Sequence, residues 1–181
     1  MTQPEIKDKL QLRHKQLTEL VLSLNDEDFL YSSNGKWTAG QQLDHIYRSV
    51  AAVNMGLAIP KFILMLVIGK ANRPSREYNV LIDKYSLKLQ QGGRAVGRFV
   101  PKPVLPSDKT KLAQKLLKTV DSLCKKTGNY TENQLDFYIL PHPLLGKLTV
   151  REMLYFTIHH ALHHQQLVLR NLGRAAIVEQ V

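Results

Sequence analysis

Four runs of apolar residues repeat at helical rather than alternating spacing, and this limits the fold more than any other feature. Leu10, Leu17, Leu20, Val21 and Leu24 form the first run, and Leu43, Ile46, Val50 and Val53 the second. Leu112, Leu116, Leu117, Val120 and Leu123 form the third, and Leu154, Phe156, Leu162 and Leu167 the fourth. Side chains three, four or seven apart share one face of an α-helix. Three of the runs are preceded by a hydroxyl residue with Glu or Gln three positions on: Thr2 with Glu5, Thr38 with Gln41, Thr149 with Glu152. Such a pair satisfies amide groups that a helix start leaves open. Ser107-Asp108 caps the third run, and Gly128 and Gly173 stop the third and fourth. The pattern predicts an all-α fold, a four-helix bundle with long connections. A chain of 181 residues suits one domain, 1–181.

The connections carry their own signals. Asp26 can cap a short turn through Phe29, and Ser32 to Lys36 is a loop by composition. Pro60 breaks the second helix. Phe62 to Ile68 and Tyr78 to Gln90 read as short helices, with a linker from Gly69 to Arg76 between them. Residues 94–106 contain Gly97, Pro101, Pro103 and Pro106, so an irregular connection is expected, long enough to lie over a site mouth. Residues 129–148 form another long connection, with a short helix or turn after Thr131 and His142 in a loop between two prolines. The tail from Arg174 to Val181 is expected to pack loosely.

Composition excludes several classes. The single cysteine, Cys124, rules out an internal disulfide framework and cysteine-rich zinc ribbons, and reads as an inert, half-buried thiol. The N-terminus has no apolar signal-peptide core, so a cytoplasmic location is expected. Val50 to Gly69 is largely apolar, but Asn54, Pro60 and Lys61 interrupt it, short of the ~20 residues a spanning helix needs. A buried helix pair or a dimer surface is expected there, and no transmembrane segment. The net charge of +10 is concentrated in residues 61–126, with 15 Lys/Arg against 4 Asp/Glu. Such a stretch can attract nucleic-acid phosphate or acidic lipid headgroups. We read it as a solvated face, and nucleic acid is not an expected partner.

The chemistry lies in FTIHHALHHQQL, Phe156 to Leu167, which places His159, His160, His163 and His164 on one helix. His159/His163 and His160/His164 are two pairs, each one turn apart, related by about 100°. Imidazoles at i and i+4 can point at one metal ion, and a third ligand must come from elsewhere. His45, on the border of the second apolar stripe, is the best supplier. Three neutral imidazoles would leave coordination positions open for water or substrate, as in catalytic rather than structural sites.

At GKWTAGQQLDHI and LTVREMLYFTIHHALHHQQL the chain resembles the DinB/YfiT superfamily of metal-dependent helical proteins. Trp37, Thr38 and His45 match its Trp-(Ser/Thr) helix start with a histidine eight after the tryptophan. His159, His163 and Gln166 fit its last-helix pattern H-x-x-x-H-x-x-Q. The resemblance implies an up-down-down-up four-helix bundle and a zinc or nickel ion held by His45, His159 and His163. His160 and His164 would then stand behind the ligands, face solvent or lie at an interface. Gln166 and Arg170 continue the His163 face, and Tyr155 precedes His159 by one turn, so these three are pocket candidates. The resemblance also implies a low-molecular-weight thiol as substrate and a homodimer. The function expected is a metal-dependent small-molecule transferase or hydrolase. The competing readings are a non-catalytic metal-binding stress-response or interaction bundle, and a basic nucleic-acid or membrane-surface binder.

Overall fold

The computed structural model describes residues 1–174. Its long helices are α1 (Gln3–Ser23), α3 (Ala39–Gly56), α6 (Lys109–Thr127) and α8 (Val150–Asn171), and its shorter ones are α2 (Asp26–Leu30), α4 (Lys61–Val67), α5 (Tyr78–Gln90) and α7 (Glu132–Phe137). The four long helices pack in a ring: α1 against α6 and α8, and α3 against the same two. The predicted stripes face inward, and Leu10, Leu17, Leu43, Leu116 and Leu123 are fully enclosed. α5 packs along α8 outside the ring.

The expected capping boxes at Thr2, Thr38 and Thr149 are present, and a fourth at Thr131/Gln134 starts α7. At α2 the cap is Asn25 rather than Asp26: the Asp28 amide donates to Asn25 Oδ1 at 2.8 Å. Asp108 precedes α6 without a side-chain cap bond, because a tight 3-10 turn over Pro106–Asp108 already leads into the helix.

The all-α expectation needs one correction. Residues β1 (Ile139–His142) and β2 (Gly146–Thr149) form an antiparallel hairpin, with Ile139 opposite Thr149 and His142 opposite Gly146. Gly146 takes φ +77°, a conformation that favours glycine. The burial follows the length of the hairpin and not its faces: Ile139, Leu140, Leu148 and Thr149 are buried at one end, while Pro141 and Lys147 are exposed at the other. Four-residue strands buried in this way show no alternation to read. Pro141 is tolerated because a two-stranded sheet has only edges.

The linker after α4 also proves structured. Arg73 Nη1 and Nη2 donate to the two oxygens of Glu152 at 2.6 and 2.8 Å, and Arg76 Nη1 and its amide reach Glu152 Oε1 at 3.0 and 2.8 Å. The Glu152 side chain is fully enclosed at the start of α8. Burial pushes its carboxyl pKa up, but Arg73 and the Arg76 and Thr149 amides outweigh burial and hold it below the usual range. Other cations of the basic middle are also tied down within the fold: Lys109 to the Leu24 carbonyl, Lys126 to Asn54, and Lys61 to Asn129 and Gln134.

His14 on α1 is wholly buried, with Nδ1 2.7 Å from the Leu10 carbonyl, and its Nε2 has no partner among the described residues. Burial lowers its pKa to about 4. Between pH 6.5 and 4 the unfolded chain binds a proton here that the folded chain refuses, so stability falls as pH drops through that window. We expect this one group to account for about 3 kcal/mol of acid destabilisation. Urea denaturation at pH 7 and pH 4 tests this: the wild-type loss should exceed that of His14→Leu by about that amount.

Among the described residues no single helix is long and apolar enough to cross a membrane; α3 and α4 pass such a test only as a pair, and they are bent by 98°. Of the tail, Arg174 bonds Asp28, and residues 175–181 lie outside the described residues.

Candidate metal centre

Three imidazoles meet where α3 faces α8. His45 comes from the second turn of α3, and His160 and His164 from consecutive turns of α8. All three are buried, at 6%, 5% and 4% exposure. Their Nε2 atoms converge: His45 to His160 at 3.2 Å, and His160 to His164 at 3.0 Å.

The opposite ring nitrogens fix the tautomers of His45 and His164. His45 Nδ1 lies 2.6 Å from the Phe99 carbonyl, and His164 Nδ1 meets Gln42 Oε1. A carbonyl oxygen only accepts, so each Nδ1 carries the proton and each Nε2 presents a lone pair. Gln42 Nε2 faces the Trp37 carbonyl at 3.5 Å, which orients the amide that way round. Two lone pairs therefore point at His160 Nε2, and one proton there could satisfy only one of them. A cation at the focus satisfies all three. Tetrahedral bonds of about 2.05 Å would set the nitrogens about 3.3 Å apart, near the spacing found. Burial is the main cause lowering the pKa of His45, and it drives those of His160 and His164 well down, aided by their mutual charge. The three rings are neutral at pH 7, the form that binds a metal.

The surroundings hold these rings in place. Trp37 stacks on His164 at 6.2 Å and lies 5.0 Å from His45. The irregular connection over 94–106 does lie beside the site, held by three contacts to α3. Phe99 meets His45, Arg48 Nη1 donates to the Arg98 carbonyl at 3.3 Å, and the Lys102 amide donates to Asp44 at 2.8 Å.

The histidine pair that faces His45 is His160/His164, not His159/His163. His159 and His163 stack on each other 6.3 Å apart on the neighbouring face, where Tyr85 of α5 approaches them at 6.1 and 5.8 Å. Both pairs satisfy an i, i+4 motif. The apolar stripe separates them: Met153, Phe156, His160, His164 and Leu167 run along one face at helical spacing, and all five line one cavity. That stripe was the available signal. Gln42 and the Phe99 carbonyl carried none, since backbone and amide partners depend on folding.

The other candidates divide. His163 lines the cavity, and burial lowers its pKa to about 4. Gln166 and Arg170 are not among the lining residues, and Arg170 is exposed. Tyr155 points away, its hydroxyl accepting from the Met1 amino group at 3.0 Å. His142 does reach the cavity: its Nδ1 accepts from the Leu144 and Leu145 amides at 3.1 Å, which leaves Nε2 with the proton. Cys124 is buried on α6, and burial raises its pKa to about 11, so it is inert.

A family model described as the DinB superfamily matches residues 9–168. The chain belongs to the DinB superfamily. Searches of curated proteins and of solved structures returned no significant match. Membership and the buried cluster are together compatible with metal binding.

Proposed function

We propose that this DinB-superfamily protein is a metal-dependent transferase or hydrolase of small molecules, with a divalent ion, zinc or nickel, held by His45, His160 and His164. The observation that carries this reading is the convergence of three buried Nε2 atoms, those of His45 and His164 presenting lone pairs, beside an open cavity of about 1040 Å³, with no fourth His, Cys, Asp or Glu in the group among the described residues. An ion there would supply a Lewis acid that lowers the pKa of a water or thiol presented to it. The chain's own residues do the rest. The Phe99 carbonyl and Gln42 orient two of the ligands. Burial raises the pKa of the Tyr85 hydroxyl, so it stays protonated, as a donor on the cavity wall. His142 offers a second donor through Nε2–H. A low-molecular-weight thiol remains the proposed co-substrate. The up-down-down-up bundle order fits the ring in which the long helices pack.

The test is elemental analysis of protein purified without a nickel column, followed by a screen of thiols against electrophiles. About one zinc or nickel per chain supports the reading, and protein that neither contains nor takes up metal overturns it.

We also propose a homodimer through α4, whose Phe62, Leu66 and Val67 are 69%, 83% and 74% exposed. An exposed apolar cluster of this kind marks an interaction surface. Sedimentation at micromolar concentration should give a dimer, and Leu66→Glu a monomer. A monomeric wild type removes this proposal.

A further inference from the structure

The cavity beside the three imidazoles is selective in composition. Much of its wall is apolar, including Met55, Val96, Leu140, Met153 and Phe156. Two of these side chains are uncovered: Met55 is 60% exposed and Val96 57%. Apolar surface left open inside a concavity is what an apolar group fills. Its volume of about 1040 Å³ lies at the upper end of the ~300–1,000 Å³ range of small-molecule sites.

The charged lining is one-sided. Lys36, Arg94 and Arg98 line the cavity, and no aspartate or glutamate does among the described residues. Arg94 and Arg98 are exposed, on the same segment whose Phe99 carbonyl meets His45. Uncompensated cations beside a dry wall favour a molecule that is anionic at one end and apolar over the rest.

We infer that the substrate of this site is an anionic amphiphile, with a carboxylate, sulfonate or phosphate head and a long alkyl or arylalkyl body. The inference rests on the reading of the three-histidine cavity as the substrate site. Arg94, Arg98 and Lys36 hold the head, and the body lies along the apolar wall toward Phe156 and Met153.

Trp37 is the only tryptophan and lines the cavity, so its fluorescence reports filling. The full chain is titrated, with and without added zinc, with dodecanoate, octanoate and dodecyltrimethylammonium below their micelle concentrations. Calorimetry on the same samples counts sites independently of the indole. Dodecanoate should saturate one site per chain. Octanoate should bind roughly tenfold or more weakly, since each methylene lost weakens binding by roughly fourfold when fully buried. The ammonium compound should also be roughly tenfold weaker, and Arg94→Glu with Arg98→Glu should abolish the preference for the carboxylate. Both arginines are exposed, so the variant should fold. Unsaturable binding, equal affinity for octanoate, or indifference to head charge overturns the inference. Zinc content is measured on the same protein. Bound zinc without dodecanoate selectivity removes the amphiphile and leaves the metal site standing. Selective dodecanoate binding by protein that takes up no zinc keeps the amphiphile and removes the metal reading.

Discussion

His160→Ala and His164→Ala are each expected to reduce bound metal from about one ion per chain to nearly none, whereas His159→Ala and His163→Ala should retain it. The four positions lie within one stretch of α8, but only the first pair directs its Nε2 atoms toward His45. The second pair stacks beside Tyr85, its positions rotated by about 100° around the helix from those of the first. Gln42→Leu should weaken affinity by about 10- to 100-fold without removing a ligand, because it frees the tautomer and ring of His164. Elemental analysis and competition with a chromophoric chelator measure all five variants. Loss of metal in His163→Ala with retention in His160→Ala would overturn this assignment. Gln42, His160 and His164 are buried, so each variant also needs a check of helical content, to separate lost coordination from lost folding.

The largest stability effect is expected at Glu152. Glu152→Gln should cost about 3 kcal/mol, the low end of the range for breaking a buried ion pair. The low end applies because Arg73 and Arg76 are 32% and 26% exposed and recover some hydration, while the glutamate itself has none to lose. Glutamine keeps an oxygen for the Thr149 amide, so the substitution isolates the charge from the cap. Urea denaturation at neutral pH measures the loss, and a change below about 1 kcal/mol would show that the arginines do not anchor the linker. The same substitution should loosen residues 73–76 against α8, read as faster amide exchange at Arg76, whose amide donates to this carboxylate.

The pattern of apolar residues and caps located the long helices because both signals are local. A stripe needs only side chains a turn apart, and a capping box needs only two residues three apart. The same locality explains what escaped. Glu152 was legible as a cap partner of Thr149, but its role as an anchor depends on Arg73 and Arg76, 79 and 76 residues away. The hairpin at 139–149 escaped because each strand has four residues and buries one end of both, so no alternation marks it.

The site shows the same division. The sequence by itself determined that α8 would offer two pairs of imidazoles, each with the spacing for one ion, and that His45 would stand at the edge of an inward stripe. It also determined family membership, through the tryptophan, the helix start and the histidine pattern. Only the tertiary structure decided which pair faces His45. Two i, i+4 pairs on one helix are equivalent until a neighbouring helix takes one face, and here α3 brings His45 to His160 and His164, while Tyr85 of α5 stands against His159, His163 and the edge of His160. The tautomers were decided there too, by a carbonyl 54 residues from His45 and an amide 122 residues from His164. Those partners exist only once the chain has folded, because each is set by long-range packing and not by residue type.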